Sequence, residues 1–156
     1  HYRYLLCNSP VRPATLNGLV TWYRHSLDLA AMNVAAQRLL GEHDFSAFRA
    51  ASCQASNPHR SVSACDVHRR GALVFVDITA NAFLHHMVRN IVGSLLAVGT
   101  ATRSVEWFEQ VLKSRDRNLA AETAPADGLY LARVDYPDTF GLPQTPEGPT
   151  ALTGHL

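Results

Sequence analysis

The sequence predicts an α+β fold, a mainly antiparallel sheet with helices packed on one face. Three observations point to it. Strand-like and helix-like runs alternate along the chain. Two neighbouring strands are joined by a short basic turn, which points to a hairpin. One helix is apolar on nearly every side, as an element at the centre of a core must be.

Tyr2 to Cys7 reads as the first strand, with Tyr2, Tyr4 and Leu6 on one face and Arg3, Leu5 and Cys7 on the other. Asn8 to Gly18, broken by Pro10 and Pro13, is a loop. Asp28 is suited to cap a helix from Leu29 to Leu40, whose apolar stripe is Met32, Ala35, Ala36, Leu39 and Leu40, and Gly41 ends it. Glu42 to Asn57, carrying Phe45 and Phe48, shows no regular period. Ser61 to His68 and Leu73 to Thr79 are strands joined through a basic turn, Arg69-Arg70-Gly71. A second helix runs from Ala82 to Val98 with Asn81 as its cap, and a shorter one from Val105 to Leu112. Leu129 to Tyr136 is the last strand. Residues 137–156 hold four Pro and three Gly and read as a tail without a core of its own, which leaves residues 1–136 as the domain.

Composition narrows the function. With 47% apolar and 17% charged residues, the chain is neither a disordered polyelectrolyte nor a membrane-spanning one, since no apolar run approaches the ~18–20 residues a span needs. The net charge of +1 hides a gradient. Residues 1–103 carry ten basic and five acidic side chains, and the remainder four and eight. Thirteen of the fourteen basic residues are Arg. That suits bidentate phosphate contacts, and it also follows from a base-composition bias in the genome. Three cysteines without C-x-x-C spacing argue against a disulfide framework or a zinc finger and suit a reducing cytoplasm. The eight histidines are scattered, so no metal site is expected. The chain opens on His1-Tyr2-Arg3-Tyr4, with neither an initiator Met nor a signal peptide, and reads as a piece of a longer protein.

The helix from Ala82 to Val98 is the most informative segment. Phe83, Met87, Val88, Ile91, Val92, Leu95 and Leu96 make it a packing helix, yet Arg89 sits in its middle. At 3.6 residues per turn, His85, Arg89 and Gly93 share a face, with His86 and Asn90 flanking it. A buried guanidinium without a partner costs several kcal/mol, so Arg89 must meet a carboxylate, a phosphate or water. Either this face is a solvent-facing stripe, or Arg89 looks into a cleft and awaits an acidic partner from elsewhere.

Asn81-Ala82-Phe83-Leu84-His85-His86-Met87-Val88-Arg89-Asn90-Ile91-Val92-Gly93 closely resembles the hallmark helix of the tRNA pseudouridine synthase A family. Tyr2-Arg3-Tyr4 looks like that family's R-Y-R-Y strand, with His1 where an Arg often stands. Leu40 to Arg49 matches its G-x-x-D-F-x-x-F-R stretch, and Ala124 to Leu131 its A-x-G-L-Y-L strand entry. The four motifs stand in the family's order and span Tyr2 to Pro137.

The resemblance implies a pseudouridine synthase-like half-fold and isomerisation of uridine to pseudouridine in the tRNA anticodon stem-loop. In the family an Asp attacks the target nucleotide, and the uracil leaves its ribose, turns and rejoins through C5. By motif position Arg89 is the partner of that Asp, Tyr2 lies against the target base with Tyr4 as the fallback on the same face, and Leu129 lines the uracil pocket unless it is an ordinary core Leu. An aromatic ring suits a base flipped out of its stack. Arg49 and Arg60, like Arg69 and Arg70, are candidates for RNA phosphate contacts. The resemblance further implies a tRNA partner, a homodimer, no cofactor and no metal.

One part of the family pattern is absent. Its nucleophile belongs to an R-x-D-x-G-V-H type motif, and none of the eight Asp residues here sits in one. The chain is therefore expected to be the C-terminal, catalytic-fold half without the nucleophile, inactive alone. The alternative is a non-catalytic RNA-binding or dimerisation module.

Overall fold

A computed structural model describes residues 1–142. The first strand, β1 (Tyr2–Asn8), alternates as its sequence requires. Tyr4 and Leu6 enter the main core, while Leu5 and Cys7 enter a smaller one on the opposite face with Val20 and Phe75. A three-residue strand, β2 (Thr21–Tyr23), runs parallel to the far half of β1, with Leu6 opposite Thr21. Helix α1 (Leu29–Gln37) starts where expected, because the Asp28 carboxylate accepts from the Ala31 amide at 3.0 Å. Asp28→Ala should cost about 1 kcal/mol and lower the melting temperature by roughly 2–4 °C, read by circular dichroism.

Gly41, at φ +94°, turns the chain into an unexpected strand, β3 (Gly41–Asp44), where no regular element was predicted. Its sequence Gly-Glu-His-Asp has no apolar alternation, because β3 is a sheet edge with its first residues exposed. Phe45 and Phe48 follow it into the core, where Phe48 and Phe108 lie 5.6 Å apart.

The predicted hairpin is β4 (His59–Arg70) with β5 (Leu73–Ala80). Arg69 and Arg70 belong to β4 rather than to the turn, and Gly71 at φ +58° takes the tight corner. A register shift between Val62 and Ala64 inserts one extra residue, which keeps Val62, Cys65 and Val67 all in the main core despite their mixed spacing.

Helix α2 (Met87–Gly99) corrects the predicted helix from Ala82. Asn81 is no cap: its side chain accepts from the Ser61 amide and its own amide donates to the Ser61 carbonyl, closing the β4–β5 ladder. Residues 82–86 form a loop, and His86 at φ +60° turns the chain into the helix. His85 therefore lies outside the helix, and only Arg89 and Gly93 of the expected face are helical.

Helix α3 (Val105–Ser114) is capped by Ser104. The last strand, β6 (Leu129–Leu131), is much shorter than predicted. It pairs antiparallel with Tyr2–Tyr4, after which the Ala132 and Arg133 amides both turn onto the His1 carbonyl.

The sheet order is β2-β1-β5-β4-β3, with β6 sharing the outer edge of β1 with β2. Among the described residues only β1 and β2 are parallel; the other pairs are antiparallel. The α1, α2 and α3 side chains Met32, Ile91, Leu95 and Phe108 join Tyr4, Val67, Val76 and Ile78 of the sheet in one core. Of the predicted tail, residues 137–142 include a 3₁₀ turn at Asp138–Phe140; residues 143–156 lie outside the described residues. Among the described residues no helix is long and apolar enough to cross a membrane.

Candidate active site

The start of β1, the loop 82–86, the first turn of α2 and the entry to β6 meet at one end of the sheet. They enclose a cleft of about 330 Å³ whose lining includes Tyr2, Phe83, His86, Arg89, Ala126 and Leu129. Tyr2 is half-buried and packs edge-on to Phe83, with ring centroids 4.8 Å apart. Leu129 comes beside it because β6 pairs with β1, which places Leu129 opposite Tyr4. The Gly128 before it needs its φ of +93°, since a side chain there would run into the Leu5 carbonyl.

Arg89 is half-buried in the wall of this cleft. Its Nε donates to the Ala124 carbonyl at 2.7 Å, and the Ala124 amide returns a bond to the Arg89 carbonyl at 3.1 Å. Nη1 lies 3.3 Å from His86 Nε2. Burial, then the charges of His85 and Arg89, hold the His86 ring below the usual histidine range, which favours the neutral form. In the tautomer with its proton on Nδ1 the ring accepts from Arg89 through Nε2. Among the described residues no carboxylate pairs with Arg89, and its Nη2 makes no hydrogen bond. The cleft thus offers two aromatic rings, an aliphatic wall and a cation whose fork is held on one edge and open on the other.

The other candidates stand elsewhere. Tyr4 is fully buried, its hydroxyl 2.6 Å from Thr21 Oγ1 and donating to the Pro125 carbonyl at 2.7 Å. Burial pushes its phenol up to about 12, against the effect of the Thr21 contact. Tyr4 thus has no surface open to the cleft, and Tyr2 is the ring of that strand that lines it. Arg49 donates to the Cys53 carbonyl at 2.6 Å beside the cleft, where the Cys53 thiol accepts from the His85 amide. Arg60 bonds the carbonyls of Asn57 and His59 and does not line the cleft.

Asn90 has a larger part than its flanking position suggested. It is 1% exposed, donates to the Phe48 carbonyl at 2.8 Å, and accepts from Thr123 Oγ1 at 2.7 Å and Arg117 Nη2 at 3.2 Å. A polar residue in a largely apolar helix is the only local sign of this; Arg117 and Thr123 are too distant in sequence to be read as its partners.

A family model described as tRNA pseudouridine synthase matches residues 35–137. Among curated proteins, the chain is 55% identical over 151 residues to the tRNA pseudouridine synthase A of Aeromonas hydrophila, which covers 97% of this chain and 56% of that protein. It is 52% identical over 148 residues to the tRNA pseudouridine synthase A of Tolumonas auensis, covering 95% and 57%. It is 56% identical over 143 residues to that of Hydrogenovibrio crunogenus, covering 92% and 55%. The chain spans about half the length of the curated relatives it matches.

Proposed function

Because the chain belongs to the tRNA pseudouridine synthase family, we propose that it forms one wall of an active site that isomerises uridine in the tRNA anticodon stem-loop. The attacking carboxylate would come from outside these residues. The observation that carries this is Arg89: a guanidinium anchored by Ala124 and His86, facing a cleft, with no carboxylate partner among the described residues. A cation so placed favours an ionised carboxylate and aligns it through paired N–H donors.

In the reaction the glycosidic bond from ribose C1′ to uracil N1 breaks and a bond from C1′ to C5 forms. The C5 proton leaves and N1 gains one, so the change is redox-neutral and consumes no co-reactant. Tyr2 and Phe83 give the detached ring a surface against which to turn, and Leu129 and Ala126 add aliphatic lining to the same cleft. A tRNA partner, a homodimer and a cytoplasmic setting belong to the same proposal. The first rests on the family's name, the second on the sequence resemblance, and the third is compatible with three free, buried cysteines.

The test is a chimera in which this chain replaces the matching 151-residue stretch of the Aeromonas hydrophila relative. Tritium release from C5-labelled uridine in tRNA is expected from the chimera and not from the isolated chain. Release by the isolated chain would mean that it holds its own nucleophile. A folded chimera that binds tRNA without releasing tritium would make the chain a binding module instead.

A further inference from the structure

Besides the Tyr4 phenol, three polar side chains are buried among the described residues, those of Thr21, Asn90 and Ser94. All three are committed to one irregular stretch, residues 121–127. Ser94 Oγ accepts from the Ala121 amide, Asn90 Oδ1 accepts from Thr123 Oγ1, and Thr21 Oγ1 donates to the Asp127 carbonyl. Arg117 adds bonds to the Ala121 carbonyl at 3.0 Å and to Thr123 Oγ1 at 3.0 Å, and bridges back to Asn90. Burying polar groups is expensive unless each finds a partner, and a satisfied network fixes geometry more firmly than apolar packing does. What the stretch gains is a fixed backbone without regular secondary structure.

That backbone presents the Ala124 carbonyl to Arg89 Nε. We propose that Asn90, Arg117 and Thr123 are positioning residues, a bracket that sets the aim of the Arg89 guanidinium by fixing the carbonyl on which it rests. The proposal builds on the reading of Arg89 as the partner of the attacking carboxylate. None of the three touches the cleft side of that guanidinium; they act through Ala124.

Thr123 is the place to test this, because Val keeps its shape and removes its hydroxyl while Ser keeps the hydroxyl. In the chimera, Thr123→Val should lower kcat about tenfold to a hundredfold with KM for tRNA unchanged, since a small misplacement of a reacting group has effects of that order. Thr123→Ser should retain kcat. In the isolated chain, the Arg89 Nε–H signal in nitrogen-15 NMR should exchange with solvent markedly faster in Thr123→Val than in the parent or in Thr123→Ser, with the fold checked by its amide spectrum. Unchanged kcat and unchanged Nε–H exchange in Thr123→Val, with only a lower melting temperature, would overturn the proposal and leave the network as ordinary loop anchoring. If Arg89→Ala itself leaves kcat intact, the reading of Arg89 fails. The exchange measurement then still decides whether the bracket holds the guanidinium.

Discussion

Arg89→Ala in the chimera should lower kcat/KM for tRNA by about a thousandfold. Removing one partner of a desolvated ion pair leaves the other charge uncompensated, which costs about 3–5 kcal/mol, and each 1.4 kcal/mol is roughly a factor of ten in rate. The effect on folding should be far smaller. Arg89 is half-buried and gives up one direct bond to a carbonyl, worth about 1 kcal/mol. Arg89→Lys should fall between the two, because an ammonium keeps the charge but cannot rest on Ala124 through one nitrogen while presenting a planar fork to a carboxylate. Steady-state tritium release measures all three. Activity within threefold of the parent in Arg89→Ala would remove Arg89 from the reaction.

Gly93→Ala should destabilise the isolated chain by about 2 kcal/mol, although helix propensity alone favours Ala over Gly by about 1 kcal/mol. Gly93 lies one turn beyond Arg89 on α2, and a Cβ there would overlap the Glu122 carbonyl and stand 3.3 Å from the Ala124 amide. Both neighbours are backbone, so no side chain can swing away. Overpacking typically costs about 1–3 kcal/mol, and a clash with fixed backbone lies at the upper end, which leaves about 2 kcal/mol after the propensity gain. The melting temperature should fall by roughly 4–8 °C. The stretch that must move is the one carrying the Ala124 carbonyl, so kcat of the chimera should fall as well. A raised melting temperature would mean that residues 121–127 do not pack against α2 as closely as described.

Much of the architecture could be read from local pattern, and the failures have specific causes. In β1 the predicted faces hold, with Tyr4 and Leu6 on one and Leu5 and Cys7 on the other, and the structure adds that each face enters a separate core. In α1 the Asp28 cap and the Met32, Ala35, Ala36 stripe placed the start of the helix, which ends at Gln37 rather than Leu40, and Leu40 is exposed. Helix α2 misled because Phe83 and Leu84 fit its apolar period and Asn81 is a good cap in isolation. That Asn81 instead pairs with Ser61, twenty residues away, is a long-range fact, and a left-handed His86 leaves no mark in the sequence. Strands β2 and β3 were missed because one is three residues long and the other is a polar edge.

The sequence pointed to Arg89 because a cation within an apolar helix needs a partner. The structure places Arg89 in the wall of a cleft, on the Ala124 carbonyl and beside His86, with no carboxylate partner among the described residues. Tyr2 and Tyr4 could not be told apart by pattern, since both project from the same face of β1. They differ in depth, because Thr21 and residues 125–127 cover Tyr4 and leave Tyr2 at the cleft. The Asn90–Arg117–Thr123 bracket joins residues 27 and 33 positions apart, beyond the reach of any periodicity.

A crystal structure of the chimera tests the central claim most directly, that Arg89 is half of an ion pair completed from outside this chain. The account predicts an Asp carboxylate from the Aeromonas hydrophila portion at about 2.7–2.9 Å from the Arg89 Nη atoms, with Nε still on the Ala124 carbonyl. A guanidinium turned out of the cleft, or one with no carboxylate within salt-bridge distance, would contradict it.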